Sequence, residues 1–107
     1  MAVFQPHLYS RTAALAREFG SALATADVVV VLDVYAARER AVDHPGVSGL
    51  AVAEATVDAA PGRPTYWLPA RDRAIGILRE LAAPGDLIVA MGAGDVDGVA
   101  RAVLGDG

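Results

Sequence analysis

The 107 residues contain no cysteine, no lysine and no asparagine. Without cysteine there is no disulfide, no thiolate nucleophile and no cysteine-held zinc. Without lysine there is no P-loop lysine, no Schiff base and no lysine of a phospho-receiver site, which removes many ATP and phosphate enzymes. All nine basic residues are arginine, set against 13 acidic ones, for a formal net charge of −4. That balance argues against nucleic acid as a partner, because such surfaces need clustered basic residues. No apolar run nears the roughly 20 residues that span a bilayer, and no signal peptide is visible. The expectation is therefore a cytoplasmic protein with no membrane contact. Only two histidines are present, His7 and His44. Their separation gives neither a metal-ligand spacing nor a Ser–His–Asp arrangement.

What is present is an alternation of apolar strands and amphipathic helices in a chain of single-domain length. A first strand is expected over Ala2 to Gln5, ended by Pro6, which cannot donate to a ladder. A helix follows from Ser10, its N-cap, to Thr25, with Leu15, Phe19, Ala22, Leu23 and Ala26 at helical spacing. The β-branched run from Asp27 to Val34 reads as a strand covered on both faces. A loop from Tyr35 to Val47 carries Arg38, Glu39, Arg40 and Asp43. A helix capped by Ser48 should run to Thr56, with Leu50, Ala53 and Val57 on its inner face. Thr65 to Leu68 is a short strand, and Ala70 to Ala82 a helix striped by Ala74, Ile77, Leu78, Leu81 and Ala82. Leu87 to Met91 is the last strand. The turn Gly92–Asp95 leads into a final helix with Val96, Val99, Ala100, Val103 and Leu104 inward.

Such alternation predicts a three-layer α/β/α, Rossmann-like domain with four parallel strands in the order 3-2-1-4. Ligands in these folds bind beyond the carboxyl ends of the strands, where the order reverses. The loops 5–11 and 92–95 should meet there. The first loop offers His7 as a hydrogen-bond donor and Arg11 beside helix amides, a setting for a carboxylate or phosphate. The competing reading has His7 capping the strand and Arg11 solvated. Gly92, Gly94 and Asp95 are candidates from the second loop, although Gly98 stands where a dinucleotide fingerprint would need glycine at 97, and a plain tight turn capped by Asp95 is the simpler account. Asp33, Tyr35 and Glu39 leave the second strand, and surface pairing of the acids with Arg38 and Arg40 is their default. His44 is expected in solvent, and Tyr66 and Trp67 in or near the core.

The blocks FQPHLYSRT, VVVLDVYAARE, GVSG and PGDLIVAMGAGDV, in this order along nearly the whole chain, resemble the C-terminal domain of the Mur ligases that join L-alanine to UDP-N-acetylmuramate. The version with Leu8 resembles the actinobacterial branch. The resemblance implies an ATP- and Mg²⁺-dependent ligation in peptidoglycan biosynthesis, through an acyl phosphate attacked by the amine of L-alanine. It implies that His7, Arg11, Gly92, Gly94 and Asp95 line the substrate cleft, facing a central and an N-terminal domain. Where relatives carry a second arginine this chain has Leu8, so a two-arginine carboxylate clamp is not expected. The P-loop belongs to the central domain, and a nucleotide-contacting stretch and helix that open the family's domain have no counterpart here. The chain thus reads as a piece of that domain lacking its first strand and helix, inactive by itself and holding no cofactor tightly. The fourth strand would then be a bare edge open to a second copy. The alternative is a free-standing α/β module that binds a small anion or nucleotide in the same crevice.

Overall fold

The computed structural model describes residues 1–92, 94 and 96–105. Four strands, β1 (Ala2–Gln5), β2 (Val29–Val31), β3 (Thr65–Trp67) and β4 (Val89–Gly92), form one parallel sheet in the order β3-β2-β1-β4. Four helices alternate with them: α1 (Tyr9–Leu23), α2 (Leu50–Ala59), α3 (Arg71–Leu81) and α4 (Val96–Gly105). The expected order and alternation are both present.

Side-chain alternation divides the core in two. Val3, Val30 and Leu32 pack with Ala74, Leu78, Val96 and Val99 of α3 and α4. Ala2, Val29 and Val31 pack on the other face with Leu23, Val52 and Ala53 of α1 and α2. Tyr66 joins the first cluster and Trp67 the second, as the sequence suggests. β1 and β2 carry the apolar run because they are the two inner strands, with a helix layer on each side.

The run from Asp27 to Val34 gives a shorter strand than expected, Val29–Val31, and Pro6 supplies the reason for its early end. Phe4 O accepts the Leu32 N–H at 2.8 Å, but Pro6 has no N–H to offer, so the ladder breaks there. Pairing resumes as an isolated bridge between His7 and Tyr35, where Pro6 O accepts from Tyr35 and Tyr35 O from Leu8.

α2 corrects a second expectation. Its inner residues are Val52, Ala53 and Thr56, whereas Leu50 and Val57 are 41% and 44% exposed. The helix is turned because it packs on α1 as well as on the sheet. Gly20 of α1 lies so close to Ala55 and Thr56 that a Cβ there would come within 2.5 Å of the Ala55 Cβ. That approach draws the 52–56 side inward and leaves Leu50 and Val57 to one flank. The N-cap is Gly49 and not Ser48, although the Ser48 hydroxyl accepts the Leu50 N–H at 3.2 Å.

β4 is covered on one side only. Ile88 and Ala90 face α3 and α4, while Val89 and Met91, on the α1 side, are 42% and 36% exposed and Leu87 is 74% exposed. A groove of about 730 Å³ runs there between the end of α1 and β4.

Candidate functional site

The carboxyl ends of β1 and β4 meet at Gln5 and Gly92, which are partners in the strand register. The approach is very close: a Cβ on Gly92, whose φ is +115°, would lie 2.1 Å from the Gln5 carbonyl oxygen. Gly94, at φ +68°, lies against the Gln5 side chain and the Tyr35 ring. The two loops expected to converge therefore do so, with Gln5 and Tyr35 between them. Asp95 and Ala93 lie outside the described residues.

Gln5 is held on one side, where its amide nitrogen donates to Asp33 O at 3.3 Å. Its Oε1 is buried and, among the described residues, accepts no hydrogen bond. A buried acceptor without a donor is costly, by about 1–3 kcal/mol, and such groups mark places where a ligand or water belongs. Sequence reasoning did not single out this residue. The available signal was a polar side chain at the carboxyl end of a central strand, where these folds bind ligands.

The loop after Gln5 is rigidly held. Leu8 has φ +68°, a region that costs a non-glycine residue about 1–3 kcal/mol. It is fixed by donating to Tyr35 O at 2.9 Å and by accepting both the N–H (3.0 Å) and the Oγ1 hydroxyl (2.7 Å) of buried Thr12. His7 is half-buried with its ring 6.0 Å from that of Tyr35. Arg11 is exposed on the first turn of α1, and among the described residues its guanidinium makes no hydrogen bond or ion pair. His7 thus lies beside the converging loops, while the atoms nearest a Cβ on Gly92 or Gly94 belong to Gln5 and Tyr35 and not to Arg11.

The mouth of α1 already contains an anion. The helix starts at Tyr9, so Ser10 is inside the first turn and is not the N-cap. Glu39 accepts the Ser10 N–H on Oε1 at 3.0 Å and the Ser10 hydroxyl on Oε2 at 2.5 Å. His44 Nε2 lies 3.9 Å from Glu39, and the imidazole stacks on Tyr9 with centroids 5.7 Å apart. Both default readings are corrected here: Glu39 pairs with the helix start instead of Arg38 or Arg40, and His44 is stacked and half-buried. The helix dipole and free amides explain the pull on the carboxylate.

The Ser10 hydroxyl, above all, and then the Ser10 and Tyr9 amides and His44 hold the Glu39 carboxyl below its ordinary value of 4.5, against the opposing effect of burial. A lowered folded-state value means that the contribution is complete above the unfolded value and disappears as the pH falls through the folded one. Unfolding of the protein and of Glu39→Gln compared from about pH 7 to pH 3 should give a stability difference that vanishes at the acid end. A difference constant with pH would remove Glu39 from this role.

The sequence has relatives among known proteins. It is 51% identical over 102 residues to the UDP-N-acetylmuramate–L-alanine ligase of Nocardia farcinica (strain IFM 10152), covering 95% of this chain and 19% of that protein. Against the ligase of the same name from Chlorobium phaeobacteroides (strain BS1) it is 50% identical over 96 residues, 90% of this chain and 20% of that one. The Mycolicibacterium vanbaalenii ligase gives 49% over 104 residues, 97% and 20%. The chain is a homologue of one part of these ligases. It spans about a fifth of their length. No family model matches it. About half the residues are identical over almost the whole chain. No helix of the described residues is long and apolar enough to cross a membrane. Among the described residues, no group of three or more His, Asp or Glu could hold a metal ion.

Proposed function

We propose that the chain serves as the C-terminal domain of an ATP-dependent UDP-N-acetylmuramate–L-alanine ligase, where it forms one wall of the active site and has no activity alone. The observation that carries this reading is identity of about half over nearly the whole chain to ligases five times its length. The convergence of Gln5, His7, Tyr35 and the glycine turn at the point where strand order reverses supports it.

In this reading His7 and the exposed Arg11 face substrate: Arg11 meets a carboxylate or phosphate, and His7 donates a hydrogen bond. Gly92 and Gly94 let the backbone close on Gln5. The chemistry of activation, by ATP on the muramoyl carboxylate, depends on the central and N-terminal domains of the parent enzyme. In this reading Mg²⁺, like the P-loop, belongs to those other domains of the parent enzyme. The protein works in the cytoplasm on soluble precursors.

Two tests separate this from a free-standing anion- or nucleotide-binding module. Calorimetric titration of the isolated chain with ATP should give no tight saturable binding, whereas the module requires it. In a chimera carrying this chain in place of the matching fifth of the Nocardia ligase, Arg11→Ala should raise KM for L-alanine or ATP about tenfold or more with the fold intact. Unchanged kinetics would remove Arg11 from the site.

The bare β4 edge fits a second copy of the chain. Val89 N–H donates inward to Met1 O at 2.9 Å, so alternation turns the Ala90 amide and carbonyl to the free side. No charge or proline interrupts residues 87–92 to protect that edge. Light scattering at high concentration should report a dimer mass, lowered to the monomer by Val89→Glu. A monomer at every concentration would contradict pairing.

A further inference from the structure

The opposite edge of the sheet has a different character. Leu50 and Val57, turned out of the core by the rotation of α2, flank a groove of about 350 Å³ with Thr65 and Trp67 of β3 on its floor. Glu54 and Asp58 stand along it one helical turn apart, and among the described residues neither carboxylate has a hydrogen bond or cationic partner. Two like charges at that spacing on one helix face repel slightly and are left uncompensated by the chain itself. β3 is also an edge strand. Pro64 O accepts from Val29 and Leu68 N–H donates to Val31 O, so by alternation Thr65 and Trp67 present their amides and carbonyls to the open side. Their side chains rise into the same groove.

We propose that this groove is a docking site for an extended, arginine-bearing segment of a partner protein, added as a fifth strand beside β3. Such an arrangement is a recurring mode of peptide recognition, in which backbone pairing supplies affinity and alternate side chains supply specificity. On the groove side, each arginine has a stem and a head to accommodate. The stem lies along the Trp67 ring and the exposed faces of Leu50 and Val57, and the guanidinium reaches Glu54 and Asp58. Charge complementarity decides the occupant. The β4 edge has apolar side chains alone and suits a copy of itself, whereas this one has two free carboxylates over an apolar floor.

Trp67 is the single tryptophan and sits in the groove, so its fluorescence reports occupancy. The probe is a blocked peptide of sequence Arg-Thr-Arg-Thr-Arg, with Glu-Thr-Glu-Thr-Glu as its control. A saturable change in Trp67 emission with the first peptide and none with the second is expected. Glu54→Gln with Asp58→Asn, both at the surface of a folded protein, should weaken binding about tenfold. Amide shifts in NMR should centre on Thr65 and Trp67. No saturable change, equal affinity for both peptides, an unaffected double variant, or shifts centred on β4 would each overturn the proposal.

Discussion

Gly92→Ala is expected to destabilise the protein by about 4 kcal/mol or more, enough to remove most of the stability of a domain this size. Two costs combine. The new Cβ would stand 2.1 Å from the Gln5 carbonyl oxygen, 3.0 Å from its carbon and 3.1 Å from its nitrogen, all backbone atoms of a central strand. No side chain can swing aside to relieve such an overlap, so β4 must separate from β1. The φ of +115° adds a penalty of about 1–3 kcal/mol for any residue with a Cβ. Urea unfolding followed by Trp67 fluorescence should show a midpoint far below that of the parent, or no cooperative transition. An unfolding free energy within about 1 kcal/mol of the parent's would mean that the strands do not close this tightly. The same result bears on function, because it makes Gly92 a requirement of strand closure first and of ligand approach second.

Gly20→Ala should cost about 2 kcal/mol. Alanine is the better helix former by about 1 kcal/mol, so an exposed site would gain. Here the added methyl would meet the Ala55 Cβ at 2.5 Å, the Ala55 carbonyl carbon at 2.6 Å and the Thr56 nitrogen at 2.7 Å. Overpacking against a helix backbone belongs at the upper end of the usual 1–3 kcal/mol range and outweighs the propensity gain. Gly76 on α3 is the matched control: it has nothing within 4 Å of a built Cβ, and Gly76→Ala should be stabilising by about 1 kcal/mol. Thermal unfolding of both variants checks the pair. If Gly20→Ala also stabilises, α1 and α2 do not pack through this glycine.

The strand order and the meeting of the two loops were legible because hydrophobic period and element alternation are local properties of the sequence, and topology rules do the rest. What escaped depended on contacts between distant elements. The facing of α2 could not be read from Leu50, Ala53 and Val57 alone, because the contact that sets it comes from Gly20, thirty-odd residues earlier. The anion at the start of α1 was anticipated in kind but not in source: a carboxylate was expected from a ligand, and Glu39 of the following loop supplies it. Gln5 sat inside a recognised block, yet what marks it is a buried oxygen without a hydrogen bond among the described residues, which only the folded loops create. His7 and Arg11 were legible as residues of the loop and first helical turn after β1, but the Tyr35 ring beside His7 comes from the far side of β2 and could not be read locally.

The claim that this chain is a working part of a ligase is tested most directly by activity in context. The chimera carrying these residues in place of the matching fifth of the Nocardia farcinica ligase is assayed for phosphate release from ATP that requires both UDP-N-acetylmuramate and L-alanine. The account predicts clear dual-substrate dependence in the chimera and no release by the isolated chain. A folded but inactive chimera, or turnover by the chain alone, would contradict it.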